Sequence, residues 1–483
     1  LHRRPGPKLC HQLLRSYGQG SRCRCRLPGE RVRRPFVATS DRALAAEAGL
    51  PPLFAVLLTW AAAAVPARAD IERADVPRVD AELAAMEAAP PAGVRRESIV
   101  TVRYYLQVAS DLRNRTPAAS GRFLGLASAA IDALRRGEDP LAERRGFVVR
   151  GYRSPLSTKL QGYSVHLSPS FDFAVSHPLM ALLHGGSSNH HLFLSVVVGN
   201  NVGWATYPAN LWTAYEPRWD PGEFILLAPN GFGQPMWRWM AERDVLDAID
   251  DASRAYRVDP DRVFLGGVSN GGVGAYSIGF RHAWRFAAVL PMAGTPGWRQ
   301  YEPSRLHEWE RPLLEAVSAY DLAINAADTS VHLFHGRLDG GPMKPQFVAA
   351  FERRLRELDA PFRSTWYDLG HDIMYAVHRR GAFLRDLAGV RRDRSPARVR
   401  LASADHRAAR QHWVEVAAFD RYPAMATIDA EVHDGRLEVA TDNVAALRIR
   451  LEDVPLPAEG ADLVVDGRPV MRLPRVSHAV PLV

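Results

Sequence analysis

Seven residues, Gly266-Gly267-Val268-Ser269-Asn270-Gly271-Gly272, set four glycines around one serine. Ahead of them RVFLG (262–266) is a run of β-formers, and behind them VGAYSIGF (273–280) reads as the start of a helix. The junction predicts a strand that turns sharply into a helix, because residues without a Cβ tolerate crowding and unusual backbone angles. Gly267-Val268-Ser269-Asn270-Gly271 matches G-x-S-x-G, the turn that raises a serine hydroxyl above a sheet. Such a turn needs a parallel sheet beneath it, and this need constrains the fold more than any other feature.

The flanking sequence supplies that sheet. From about residue 145, short apolar strands alternate with helices: GFVVRGY, GYSVHL, HPLMALLHGG, GEFILLAPNG, RVFLGG, RFAAVLPMAG, VHLFHG and RSTWY read as strands. ERDVLDAIDDASRAYRVD (242–259), PQFVAAFERRLRELDA (345–360) and a last segment near 376–388 read as helices. This alternation means an α/β fold, a mostly parallel sheet with helices on both faces. Its expected site is the crevice at the C-terminal ends of the strands.

Segments outside 145–392 read differently. Residues 70–144 form a helical N-terminal segment, with helices expected at 96–115 and 121–137 and an irregular Ala/Pro-rich stretch at 70–95. After a charged link (391–400), residues 398–483 give short strands with turn signals at His433-Asp434-Gly435 and Asp466-Gly467. They form a β-sandwich-like C-terminal domain. Its Trp413 is a lone aromatic in an alternating strand and reads as core.

A serine hydroxyl needs a base, and the base needs an orienting carboxylate. In sheets with this elbow the chain order is Ser, then Asp or Glu, then His, each after a later strand. Asp339 follows VHLFHG and His371 follows STWYDLG, so Ser269, Asp339 and His371 are the candidate catalytic set. Asp368 and Asp372 are rivals for the acid, and His335 for the base. An oxyanion needs two N–H donors. Asn270, next after the serine, supplies one; Gly186, with neighbours Gly185 and Ser187, supplies the other. His184 reads as a structural loop histidine. Trp204, Trp212 and Trp237 are candidate walls of a substrate pocket. Core or lid packing is the plainer reading of these rings, and of Trp239.

Composition removes other classes. The formal charge of +8 comes from residues 1–69, which hold 12 Arg/Lys and 3 Asp/Glu. The remaining 49 basic and 50 acidic residues cancel, so no basic footprint for nucleic acid exists in the body. Cys10, Cys23 and Cys25 all lie in the same leader, which excludes thiol catalysis, cysteine-zinc sites and disulfides from residue 70 onward. Adjacent His190 and His191 do not converge on one ion, no H-E-x-x-H is present, and no metal site is expected. No phosphate or dinucleotide loop is present, so no cofactor is expected.

The leader, residues 1–69, contains an apolar run (50–65) ending at Ala67-Arg68-Ala69. The run is shorter than a span, and the A-x-A pattern predicts cleavage before Asp70. The expectation is an exported protein, periplasmic or secreted, with no stable membrane span after cleavage. A membrane anchor is the alternative. Arg33-Arg34-Pro35-Phe36 is a distant echo of a twin-arginine signal. The chain opens on Leu rather than Met, so part of the Arg-rich stretch ahead of the apolar run is read as upstream sequence.

HGGSSNHH, the helix-strand-elbow run ERDVLDAIDDASRAYRVDPDRVFLGGVSNGG, then RFAAVLPMAG, HGRLD and GH, in that order, resemble secreted bacterial α/β-hydrolases. The nearest groups are polyhydroxybutyrate-depolymerase and feruloyl-esterase-like enzymes, and prolyl oligopeptidase family catalytic domains. The resemblance covers about 145–390 and implies an α/β-hydrolase fold (145–392), Ser269 as nucleophile, Asp339 as acid, His371 as base, and Gly186 and Asn270 at the oxyanion. Ser187 and Asp372 depart from the groups' usual residues, which bears on substrate fit. The resemblance implies a serine hydrolase acting on small or polymeric carboxylic esters. A peptidase using the same residues on amides is the alternative; such peptidases carry a β-propeller before the catalytic domain, for which 70–144 is too short. A binding protein on the same fold is a third reading, opposed by the complete Ser, Asp and His set.

Overall fold

The computed structural model describes residues 75–186, 188–199, 212, 217–233, 236–297 and 307–475; the leader and Asp70 lie outside them. Three helices come first: α1 (Val76–Ala88), α2 (Arg96–Leu112) and α3 (Pro117–Arg135). The first corrects the expectation of an irregular 70–95. Pro77 stands in the opening turn, where its missing N–H breaks no bond, and the alanines after it are strong helix formers. Val79 and Leu83 are buried in one cluster with Ile99 and Val102 of α2.

The central sheet has eight strands: β1 (Gly146–Tyr152), β2 (Gln161–Leu167), β3 (His177–Leu183), β4 (Ile225–Pro229), β5 (Val258–Val268), β6 (Ala288–Met292), β7 (Ser330–Gly336) and β8 (Phe362–Tyr367). Their spatial order is β1-β2-β4-β3-β5-β6-β7-β8. The pairings of β2 with β1 and β4 are antiparallel; from β4 to β8 neighbours run parallel. Alternate residues of β3 show why its sequence is continuously apolar. Leu179, Ala181 and Leu183 enter one core cluster, while Met180 and Leu182 enter another on the opposite face. Helices α5 (Met240–Ala255), α6 (Asn270–Arg281) and α8 (Pro345–Glu357) contribute Val245, Ile278 and Phe351 to the first. Helices α4 (His190–Val197), α9 (Met374–His378) and α10 (Ala382–Arg385) contribute Leu192, Val377 and Phe383 to the second. A short α7 (Arg311–Glu315) lies between β6 and β7. This is the α/β-hydrolase fold.

The helical segment is part of the same body. Tyr104 of α2 fills a furrow made by the paired glycines Gly151 and Gly162, where an added Cβ would lie 2.1 and 2.2 Å from its side chain. Tyr105 donates its hydroxyl proton to the Val149 carbonyl at 2.7 Å. The helix expected near 376–388 is two short helices. The break falls at Arg380 and Gly381, both at positive φ, and a Cβ on Gly381 would sit 2.8 Å from the Trp219 ring.

The C-terminal part is β-rich. Strands β9 (Arg398–Ser403), β12 (Ala426–His433), β13 (Arg436–Asp442), β15 (Ala461–Val465) and β16 (Arg468–Leu473) form one sheet. Strands β10 (Arg410–Gln411), β11 (Val414–Phe419) and β14 (Val444–Ile449) form the other. Asp434-Gly435 and Asp466-Gly467 both have positive φ at both positions, the two-residue hairpin turn their sequence predicts. Trp413 is fully buried in this core and donates its indole N–H to the Pro396 carbonyl. Asn325 holds this part to the catalytic sheet's side: its Oδ1 accepts the Ala402 N–H at 2.6 Å and its Nδ2 donates to the Ala402 carbonyl at 3.0 Å.

Candidate active site

Strand β5 ends at Val268 and α6 begins at Asn270, so Ser269 makes the whole turn, with φ 59° and ψ −120°. A side chain rarely takes this conformation, and the surroundings hold it there. The Ser269 N–H donates to the Met292 carbonyl at 2.9 Å. The glycines are fixed by the neighbouring backbone. A Cβ on Gly267 would lie 2.3 Å from the Gly271 carbonyl oxygen, and one on Gly271 2.0 Å from that of Leu183. Gly271→Ala is therefore expected to destabilise the fold by at least about 3 kcal/mol. Gly125→Ala, at an open position inside α3, should be neutral or slightly stabilising. Thermal melts of the two variants check the contrast.

The structure brings Ser269, His371 and Asp339 into one hydrogen-bonded line. His371 Nε2 lies 2.8 Å from Ser269 Oγ, and His371 Nδ1 lies 2.9 Å from Asp339 Oδ2. The serine stands after β5, the aspartate after β7 and the histidine after β8, at the C-terminal edge of the parallel strands. With the Nδ1 proton donated to the carboxylate, Nε2 accepts the serine proton. The Asp339 side chain is 3% exposed, while that of His371 is 42% exposed. Asp339 Oδ1 accepts the Gly340 N–H at 2.7 Å. The hydrogen bond from His371 Nδ1–H to Asp339 raises the His371 pKa above its ordinary 6.5, against the effect of burial.

The rivals stand elsewhere. Asp368 is 91% exposed and pairs with Arg337. Asp372 touches the histidine's charge without a hydrogen bond to it. His335 is buried, bonds the Met343 carbonyl at 2.8 Å and lies 3.8 Å from Asp339 Oδ2. Burial lowers its pKa, so it stays neutral and braces the loop that carries Asp339.

The loop after β3 passes directly beside the serine. A Cβ on Gly185 would lie 3.4 Å from the Ser269 Cβ, and one on Gly186 3.3 Å from the Asn270 side-chain nitrogen. The Asn270 N–H opens α6, where first-turn donors have no helical acceptor. Ser187 lies outside the described residues. His184 is wedged between the carbonyls of Gly185 and Asn230, at 3.0 and 3.3 Å, which gives it the structural role its loop suggested.

Trp237 takes the core-packing reading rather than the pocket-wall one. It is fully buried, and its indole N–H donates to the His184 carbonyl at 3.1 Å. It therefore braces the loop beside Ser269 from below rather than lining an open pocket. Trp212 is half-buried among Phe123, His190 and His191, against the helical segment. Trp204 lies outside the described residues. A supporting group that the sequence reading missed is Asp244. Its carboxylate takes the Tyr152 hydroxyl and the Gly231 N–H, and so fixes the segment whose Asn230 carbonyl meets His184. Burial pushes its pKa up to about 6. The sequence signal was an acid next to Val245 on α5, a helix that also buries Glu242, Asp247 and Asp251. Among the described residues no cluster of His, Cys, Asp or Glu could hold a metal ion, and no helix is long and apolar enough to cross a membrane.

Residues 236–388 match the Prolyl oligopeptidase family. A stretch of 163 residues is 28% identical to dipeptidyl-peptidase 5 of Porphyromonas gingivalis, covering 27% of this chain and 23% of that one. Among solved structures, P. gingivalis dipeptidyl peptidase 4 is similar at 16% identity and a TM-score of 0.38, over 53% of this chain and 36% of its own. A ferulic acid esterase is similar at 20% identity and a TM-score of 0.38, over 50% of this chain and 98% of its own. The chain thus spans under a quarter of the curated relative it matches and about a third of the dipeptidyl peptidase.

Proposed function

We propose that the chain is an exported serine hydrolase that cleaves carboxylic esters through an acyl-enzyme. The observation that carries this reading is the line Ser269–His371–Asp339, with the serine held at positive φ beside the opening of α6. The family match supports the coarser statement, a serine hydrolase. Export is read from the apolar run 50–65 and the Ala67-Arg68-Ala69 that ends it.

The reaction follows from the positions of the groups. Ser269 Oγ attacks the ester carbonyl carbon, and its proton passes to His371 Nε2. The carbonyl oxygen becomes an oxyanion and accepts the N–H groups of Asn270 and Gly186. Asp339 holds the imidazolium in orientation without taking its proton. The tetrahedral intermediate collapses, the alkoxide leaves with the His371 proton, and Ser269 keeps the acyl group. Water then attacks the acyl carbon, gives its proton to His371, and frees the acid and the serine.

The peptidase reading uses the same groups on an amide, and the family match and the dipeptidyl-peptidase likeness favour it. The segment directly ahead of β1 is three helices. A series of p-nitrophenyl esters, acetate through long acyl chains, beside dipeptidyl p-nitroanilides separates the two. We expect ester turnover with a definite chain-length optimum and a far lower kcat/KM on the anilides. An anilide kcat/KM equal to or above that of the best ester would replace the esterase reading with the peptidase.

A further inference from the structure

The carboxylate of Asp339 sits on a loop that cannot hold it unaided. Arg337, Leu338, Gly340, Gly341 and Pro342 around it are all exposed. A Cβ on Gly340 or Gly341 would meet nothing within 4 Å, so neither glycine serves packing, and both leave the backbone pliant. The loop's start is tied to its neighbour: the Arg337 N–H donates to the Tyr367 carbonyl at 2.8 Å, and the Leu338 N–H to that of Leu369 at 3.0 Å. Past Leu338 the backbone bonds are local, from Asp339 to Gly336 and from Met343 to Gly340.

One side chain closes the loop. His335, the last residue but one of β7, is buried, and its Nε2 lies 2.8 Å from the Met343 carbonyl oxygen. A carbonyl only accepts, so Nε2 carries the proton and the tautomer is fixed. The buried Met343 side chain is in turn packed on Val273, whose N–H bonds the Ser269 carbonyl at 3.0 Å. The clasp thus joins the end of β7, the far end of the acid loop and the first turn of α6. The ring itself is held: Trp366 of β8 meets it edge-on at 5.6 Å and donates its indole N–H to Glu352 at 2.9 Å.

His335 also faces the carboxylate it encloses. Its Nε2 is 3.8 Å from Asp339 Oδ2, beyond hydrogen-bond range, so it does not displace His371, which stands 2.9 Å from the same oxygen. The titratable and charged groups around it are Asp339 and His371, with Arg337 and Glu352 across Trp366. Burial keeps it neutral among them. We propose that His335 is a positioning residue: by closing the loop from Gly336 to Met343 it keeps Asp339 Oδ2 in line with His371 Nδ1, and so keeps His371 fit to take the serine proton. The role rests on the serine-hydrolase reading and is the same for an ester or an amide.

His335→Gln and His335→Asn, in the full chain, carry the test. Glutamine places an amide N–H near the position of Nε2; asparagine is one methylene shorter and falls short of the Met343 carbonyl. The rate of labelling by diisopropyl fluorophosphate is followed across pH, beside kcat and KM on the best p-nitrophenyl ester and a melt of each variant. In His335→Asn, kcat and the limiting labelling rate are expected to fall between about tenfold and about a hundredfold, with KM within about twofold. The inflection should move down, because the Asp339 hydrogen bond that raises the His371 pKa is weakened, while Asp372, the other carboxylate acting on His371, is untouched. His335→Gln should keep the parent's inflection, and its rates to within about threefold. Should His335→Asn fail to fold, Met343→Ala loosens the clasp from its other end and is read in its place. Rates and inflection unchanged in the loosened variant, a fall in kcat with the inflection unmoved, or a loss in His335→Gln equal to that in His335→Asn overturns the role. Failure of the esterase reading shows elsewhere, in an unsubstituted chain that takes the label and turns over no ester. An unsubstituted chain that takes no label overturns the hydrolase reading and this role together.

Discussion

Ser269→Ala is expected to lower kcat on p-nitrophenyl esters by about 10⁶-fold, to the background of a bound but unattacked ester. In the proposed reaction the hydroxyl is the atom that forms the covalent bond, and among the described residues Ser269 is the one hydroxyl hydrogen-bonded to His371 Nε2. The loss should come without unfolding. Alanine occupies the same backbone conformation at a similar cost, and the turn is held by the Ser269 N–H bond to Met292 and by the Val273 N–H bond to the Ser269 carbonyl. A variant whose melt matches the parent and whose turnover is gone separates chemistry from folding. Residual turnover within tenfold of the parent would place the nucleophile elsewhere.

Asp339→Asn is expected to lower kcat/KM by about 10⁴-fold near neutral pH. The amide keeps the size of the carboxylate but presents a donor to His371 Nδ1, which favours the tautomer that cannot accept the serine proton. The same carboxylate sets the pH dependence. Its hydrogen bond raises the His371 pKa above 6.5, and the base must be neutral to work. Activity in the parent should therefore be low below that raised value and rise with pH through it, with an inflection above 6.5 in kcat/KM. In Asp339→Asn the raising cause is gone, so the inflection should move down. A pH–rate profile of both proteins reads the two effects together. An inflection that stays in place after the substitution would mean that Asp339 does not act on His371.

Much of this arrangement was legible because it depends on short-range constraints. The elbow announced itself through glycines that cannot carry a Cβ, and Gly267 and Gly271 do face backbone atoms. Asp339 and His371 were readable as residues just past expected strands, and β7 and β8 end before them. The α/β alternation followed from strands such as β3, apolar at every position because both faces are covered. What was hidden depends on direction and on partners. Pro77 looked like a breaker, but its place in the first turn of α1 makes it harmless. Trp237 stood between core and pocket wall because composition gives an aromatic ring no direction; it faces inward under His184. Asp244 looked like an ordinary helix acid, and its value comes from Tyr152 and Gly231, distant in sequence.

The most direct test of the central claim is covalent labelling with diisopropyl fluorophosphate, read by intact mass and peptide mapping. The phosphorus takes the place of the acyl carbon: Ser269 Oγ bonds to it, fluoride leaves, and His371 takes the proton. The account predicts one adduct per chain on the peptide that carries Ser269, formed faster as pH rises through the His371 pKa and absent in Ser269→Ala. A folded protein that takes no label, or that takes it with Ser269 replaced, would contradict the account.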